Sequence, residues 1–281
     1  MHLRAIRSVD EMPARSGAAT DLIRAEAVGV ALGAAQSRQE ILQDISLSVP
    51  EGAFVCLIGP SGCGKSTLLK VLAGLISPTS GRVSIAGLEP AEAARRRMVG
   101  LVFQDATLLP WKNALDNAAL LLGVADKTMS RSALRDRAQQ MLTLVGLGEV
   151  GHRRPDELSG GMRQRVSIAR ALALDPAVLL MDEPFGALDA ITREVMSRSL
   201  LEIWQRTRKT IVLVTHSIDE AIYLSSQVHV LGIAPGRIVQ TLDVALPYPR
   251  DEAVVERPEF IQLERRLRAA LRSSHRPGET P

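Results

Sequence analysis

The chain has 281 residues, 46% of them apolar, enough for one large domain or two small ones around a substantial core. Its 34 Lys and Arg nearly balance 31 Asp and Glu, and a net charge of +3 with 3% aromatic content gives neither an electrostatic footprint for nucleic acid nor a platform for base stacking. Apolar runs such as Ala177 to Met181 and Ile211 to Val214 are strand-sized, far below the roughly 18 residues that a membrane-spanning helix needs, so a soluble fold is expected.

Residues 1–24 mix Arg, Asp, Ala, Ser and Pro without periodicity and read as a flexible tail; Arg4 and Arg7 precede no continuous apolar run, so no secretory leader is expected. Ile41, Ile45, Leu47 and Val49 share alternate positions, the pattern of a half-buried antiparallel strand ending at Pro50. Phe54 to Ile58 is continuously apolar, as in a strand buried on both faces. A glycine-rich loop follows it, then a helix from Lys65 to about Ala73, stopped by Gly74. Further strands are expected at Val83 to Ala86, Val99 to Phe103, Ala177 to Met181, Ile211 to Val214, Val228 to Leu231 and Ile238 to Val239. Cys56 and Cys63, in a strand and its following loop, suggest no disulfide or metal framework and fit a reducing compartment.

Between Pro110 and Pro176 the pattern turns helical. Leu134, Ala138, Met141, Leu142 and Val145 line one face of a helix closed by Gly146 and Gly148. A second helix starts at Ser159 and ends at Asp175-Pro176. The expectation is an α/β fold with a mixed, mainly parallel sheet, an antiparallel β part and an inserted helical subdomain at about 110–175. Past residue 245, Phe260, Leu263, Leu267 and Leu271 form an amphipathic stripe within a C-terminal segment, 246–281. It packs on its own domain or, alternatively, docks on a partner or an anionic surface.

Three segments carry chemistry. Gly59-Pro60-Ser61-Gly62-Cys63-Gly64-Lys65-Ser66-Thr67 matches the phosphate-loop pattern, GxxxxGK followed by Ser or Thr, between a buried strand and a helix. Its backbone N–H groups converge on phosphate oxygens, Lys65 places a charge at the β and γ phosphates, and Ser66 offers a magnesium ligand. Thr67 faces the α phosphate side, and Cys63 contributes its backbone N–H, a redox role being the alternative. Val178 to Met181 then delivers Asp182 and Glu183 at a strand's carboxyl end, where α/β sheets place ligands. Asp182 suits magnesium held through water, Glu183 suits polarising an attacking water, and Pro184 stiffens the turn that aims it. Leu158-Ser159-Gly160-Gly161-Met162 reads as a second anion-facing helix start, with Ser159 as N-cap and free N–H groups favouring phosphate. Taken alone it also reads as an ordinary glycine-rich helix entry.

In this order, the phosphate loop, the LSGGM segment with its following RQR, the MDEP strand end, the Gly186-Ala187-Leu188-Asp189 turn and Thr215-His216 resemble the ATP-binding cassette (ABC) ATPases, a P-loop NTPase fold, over roughly residues 25–245. The resemblance implies hydrolysis of ATP to ADP and phosphate with Mg2+. It implies that Gln104 senses the metal and the γ phosphate, and that His216 contacts the γ phosphate and orders Glu183. It implies a twofold dimer in which Ser159, Gly160, Gly161 and Met162 of one copy close over ATP in the phosphate loop of the other, with Asp189 linking the sites. Gln104 to Trp111, the segment from Thr215 through Glu220-Ala221, and Pro235-Gly236-Arg237-Ile238 are similar to importers for nitrate, sulfonates, taurine and related anions.

That subgroup implies separate transmembrane permease subunits docking near Gln104 and Trp111, an external solute-binding protein, and a peripheral position on the cytoplasmic face of the plasma membrane. Trp111 is either an interface anchor or a core residue of the helical subdomain. A non-transport ABC ATPase acting on nucleic acid or ribosomes is the alternative, and it usually carries a coiled-coil insertion or tandem cassettes. Two departures stand out. No aromatic residue in Val28 to Gly33 is placed to stack on adenine, and Ser226-Gln227 stands where the family often has Asp-Arg. Met162 replaces the more frequent Gln, as is common in this importer group.

Overall fold

The computed structural model describes residues 21–33 and 38–274. In chain order it contains β1 (Asp21–Leu32), β2 (Gln39–Pro50), β3 (Phe54–Ile58), α1 (Lys65–Leu72), β4 (Ser80–Ile85), α2 (Pro90–Arg95) and β5 (Val99–Val102). Three longer helices follow, α3 (Ala114–Ala125), α4 (Arg131–Leu144) and α5 (Gly160–Ala173). The chain then returns to alternation with β6 (Val178–Asp182), α6 (Ala190–Thr207), β7 (Thr210–Val214), α7 (Ile218–Leu224), β8 (Gln227–Leu231) and β9 (Ile238–Asp243), and ends in α8 (Pro258–Ser273).

Two sheets result from two kinds of apolar pattern. The alternating strands form an antiparallel sheet in the order β2-β1-β4, and the continuously apolar ones form a sheet in the order β5-β6-β7-β3-β8-β9. Within the second sheet only β9 runs antiparallel, against β8; the rest pair in parallel. Every residue of β3 and β7 is buried, which explains why neither strand alternates. One apolar cluster fills the space between the parallel sheet and helices α3 to α8, and a second lies between the two sheets around α1.

Four loops that matter leave the same edge. Because β5, β6, β7 and β3 are adjacent and parallel, the segments after them (Phe103-Gln104, Glu183, Thr215-His216 and Gly59 to Gly64) emerge side by side at the carboxyl ends. This is where open α/β sheets bind ligands.

Some expectations needed correction. The tail expected over 1–24 lies outside the described residues up to residue 20, but Asp21 to Arg24 are already in β1. The alternation expected from Ile41 is out of phase there: Leu42 is fully buried and Ile41 only partly. Asp44 sits at φ 51 beside an irregularity in the register with β1, and this bulge resets the strand's inward face. The strand expected at Val83 to Ala86 begins at Ser80 and ends at Ile85, and that at Ile238 to Val239 continues to Asp243.

The C-terminal stripe packs on its own chain. Phe260, Leu263, Leu267 and Ala270 are buried in the main cluster, with Leu271 against its margin, while Arg265, Arg266, Arg268 and Arg272 face outward. Among the described residues no helix is long and apolar enough to cross a membrane.

Candidate functional site

The phosphate loop bridges β3 and α1. Gly64, at φ 91, stands at the N-cap of α1 with no side-chain cap, so the first N–H groups of the helix are left for an anion. Lys65 is 6% exposed, and its Nζ donates to the carbonyls of Gly59 at 2.8 Å and Pro60 at 2.9 Å. The ammonium is therefore held inside the loop by the loop's own carbonyls. Cys63 is fully buried, and burial pushes its thiol up despite the neighbouring Lys65. A thiol so shielded is a poor nucleophile, which favours the backbone role over the redox alternative.

Ser66 and Asp182 come together from opposite motifs: Ser66 Oγ donates to Asp182 Oδ1 at 2.9 Å. Burial raises the Asp182 carboxyl above its ordinary value, with Ser66 opposing that shift and the adjacent Glu183 charge adding to it. A hydroxyl beside a partly buried carboxylate is an oxygen donor set that a hard divalent cation compensates. Among the described residues no cluster of three His, Cys, Asp or Glu could hold a metal by itself.

Glu183 follows Asp182 at φ 45, a left-handed conformation uncommon for a non-glycine residue. Its N–H donates to Val214 O and its carbonyl accepts from Gly186 N, both at 3.0 Å, so β7 and the following turn enforce the conformation. Strain of this kind is characteristic of functional turns. The result is a carboxylate directed across the sheet edge, where His216 Nδ1 lies 3.3 Å from Glu183 Oε2. A side-chain carbon at position 186 would lie 3.3 Å from Gln104 Nε2 and 3.5 Å from Glu183 Oε2, so both groups border Gly186.

The LSGGM segment is elsewhere. Ser159 caps α5, its Oγ accepting from Met162 N at 3.3 Å, and the side chain is exposed. Gly160 and Gly161 lie against Leu188, Thr192 and Met196 of the α6 region, and no described contact of theirs reaches the phosphate loop of the same chain. Asp189 caps α6, accepting from Thr192 N at 2.9 Å, and that bond holds its carboxyl below the ordinary value. The structure thus gathers the phosphate loop, Asp182, Glu183, Gln104 and His216 at one edge and leaves Ser159 of the signature segment exposed away from it, while Leu158 and Gly161 are buried and Met162 packs against the core.

The comparisons with known proteins agree. Residues 42–186 match the ABC transporter family. The chain is 46% identical over 246 residues to the nitrate import ATP-binding protein NrtD of Synechococcus elongatus, covering 87% of this chain and 89% of that one. The chain belongs to the ABC transporter family. It is also 46% identical over 250 residues to the taurine import ATP-binding protein TauB of Pseudomonas aeruginosa, covering 87% of this chain and 94% of the relative. Among solved structures, a post-hydrolysis dimer of the ATP-binding cassette MJ0796, bound to ADP and Pi, superposes with a TM-score of 0.70 at 33% identity, over 80% of this chain and all of that one.

As an ABC ATPase, the protein hydrolyses ATP to ADP and phosphate, and its cassette contains supporting residues whose contacts the motifs did not reveal. Glu220 is nearly buried: its carboxylate accepts from Thr215 Oγ1 and pairs with Arg193 at 3.6 Å. Burial raises that carboxyl above the ordinary range, while Thr215, Arg193 and His216 oppose the shift and Glu183 reinforces it. Gln164 Nε2 donates to Phe103 O at 2.9 Å, and Arg170 donates to the carbonyls of Ala106 and Thr107, so α5 grips the segment that carries Gln104. Asn117, fully buried, bonds Leu109, Lys112 and Asn113 and fixes the turn bearing Trp111. Trp111 itself is 70% exposed, which rules out the core alternative.

Proposed function

We propose that the chain is the ATP-hydrolysing subunit of an ABC importer, and that it energises uptake of a small anionic solute of the nitrate, sulfonate or taurine kind through separate permease subunits. The convergence of the phosphate loop, Ser66–Asp182, Glu183, His216 and Gln104 at one sheet edge supports the hydrolytic half of this reading. The likeness to nitrate and taurine import proteins over most of both lengths supports the transport half. Nothing observed favours a nucleic-acid role. The exposed Trp111 fits docking of a permease, and the cassette would sit peripherally on the cytoplasmic face with an external binding protein supplying the solute.

In this reading the loop from Gly59 to Thr67 binds the phosphates, with Lys65 turning from the loop carbonyls to the β and γ oxygens. Ser66, Gln104 and Asp182 would hold Mg2+, Asp182 through water. The bound ion would neutralise charge developing between the β and γ phosphates. Glu183 accepts a proton from the attacking water, and His216 orients that carboxylate while contacting the γ phosphate. Ser159, Gly160, Gly161 and Met162 of a second copy would complete the site, with Asp189 at the dimer junction, so one chain alone holds two half-sites.

The decisive test is Glu183→Gln, which keeps the shape of the site and removes the base. The expected outcome is an ATP-dependent dimer by light scattering and a loss of phosphate release of about 100-fold or more. Turnover at the parental rate would overturn the assignment. Mixing Ser159→Arg chains with Lys65→Ala chains tests the shared site: trans geometry leaves one intact site per mixed dimer, so activity absent from either variant alone returns. No recovery in a confirmed mixed dimer would refute the shared site.

A further inference from the structure

Behind His216 lies a buried polar cluster that the hydrolytic pair does not use. Thr215 and Ser217 flank the histidine, and Ser217 N donates to Thr215 Oγ1 at 3.0 Å, closing a short turn with His216 at its tip. The same Thr215 hydroxyl donates onward to Glu220 Oε2, and Glu220 N donates to Ser217 Oγ at the start of α7. The turn is thus bonded to Glu220 from both sides. Glu220 Oε1 faces Arg193 Nε at 3.6 Å, and Arg193 Nη2 donates to Leu188 O at 2.9 Å, the residue before Asp189. A carboxylate this buried is costly unless paired, so its location calls for a role.

We propose that Glu220 is a positioning residue for hydrolysis: through Thr215 it sets the turn that presents His216 to Glu183, and through Arg193 it couples that turn to the Leu188-Asp189 segment. The inference rests on Glu183 and His216 being the hydrolytic pair. Arg193 Nε has no hydrogen-bond partner among the described residues, and the ion pair at 3.6 Å is longer than a bond. The guanidinium therefore has room to close on Glu220 when the Leu188-Asp189 segment shifts. Movement at that segment then alters the tension on Thr215 and the aim of His216, so the histidine and the Asp189 turn act together. Misplacement of a reacting group by a fraction of an ångström is enough to lower turnover without weakening binding.

Steady-state ATPase assays on the purified full-length chain with Mg-ATP test this, alongside the stoichiometry of a fluorescent ATP analogue. Glu220→Gln keeps an oxygen for Thr215 and removes the charge; the expected result is a roughly tenfold fall in kcat with KM and analogue stoichiometry unchanged. Arg193→Gln is expected to lose about as much, and the double variant about tenfold, well short of about 100-fold, because both act on one contact. Thr215→Val should reproduce the kcat loss and Thr215→Ser should restore it, which covers the case in which Glu220→Gln fails to fold. A kcat within about twofold of the parent for Glu220→Gln or Thr215→Val, or losses that multiply in the double variant, would overturn the proposal. If Glu183→Gln is inactive while Glu220→Gln matches the parent, only the positioning role fails; if Glu183→Gln turns over normally, the underlying assignment fails.

Discussion

At the scale of single residues, burial decides which groups report on folding and which on chemistry. His229 is 4% exposed in β8; its Nδ1 lies 2.8 Å from Thr241 Oγ1, and its Nε2 has no hydrogen-bond partner among the described residues. Desolvation holds its pKa down at about 4 from 6.5, with Asp243 opposing the shift. The folded state therefore binds a proton less readily than the unfolded chain. The stability due to neutral His229 is fully present above pH 6.5 and is lost as the pH falls toward 4, at about 1.4 kcal/mol per pH unit or about 3 kcal/mol in all. Urea titrations at pH 7.5 and 4.5 on the parent and His229→Phe should show the parent losing about 2–3 kcal/mol more over the interval. Equal losses would mean that the imidazole does not titrate with folding. The side chains in local motifs, Lys65, Ser66, Asp182 and Glu183, were readable because their spacing is set by one loop or one strand end. Glu220 and Arg193 were not: each stands on a helix as an ordinary charged residue, and only tertiary packing buries them together.

At the scale of elements, parallel strands were easy to read and interrupted ones were not. β3, β6 and β7 are apolar throughout, so their positions were expected nearly as found. β1 was missed altogether because Ala27, at φ 47, breaks the alternation between Ala25 and Val28, and the strand looks aperiodic. α6 was missed because Ile191 and Val195 are exposed and blur a stripe formed by Met196, Leu200, Ile203 and Trp204. The turn between β8 and β9, noted in the sequence only for its resemblance at Pro235 to Ile238, has a structural role that the resemblance did not give. Gly236 N donates to Ile41 O and its carbonyl accepts from Gln43 N, both at 2.9 Å, which clamps the turn on β2. There a side-chain carbon would lie 2.1 Å from Cys63 O, in the backbone of the phosphate loop. Gly236→Ala should therefore push that loop, at an overpacking cost of about 1–3 kcal/mol divided between stability and nucleotide binding. The check is a lower Tm together with a raised KM for ATP; a variant with parental values of both would show that the turn yields and does not brace the loop.

At the scale of the whole molecule, α5 connects two surfaces that the chain keeps apart. Its N-terminus carries the signature with its exposed Ser159, and farther along Gln164 and Arg170 bond the 103–107 segment that carries Gln104 and leads to the exposed Trp111. A permease pressing on the Trp111 side would thus be felt at Ser159 through a single rigid helix, with Gln164 as one of the few bonds that transmit the movement. Gln164 is 3% exposed, and its described side-chain bond goes to Phe103 O and not to the phosphate loop or Glu183, so its removal loosens the 103–107 segment without removing a catalytic group. Gln164→Met retains the volume and leaves Phe103 O, on an exposed residue at the strand end, to water. The loss of one hydrogen bond worth about 1 kcal/mol shifts a two-state equilibrium by roughly fivefold. The ATPase of the isolated subunit should stay within about twofold of the parent, while stimulation by the reconstituted permease falls by roughly fivefold. Equal stimulation in both would show that the helix is not the route, and the link would then have to run through Asn117 and the turn at Trp111 alone.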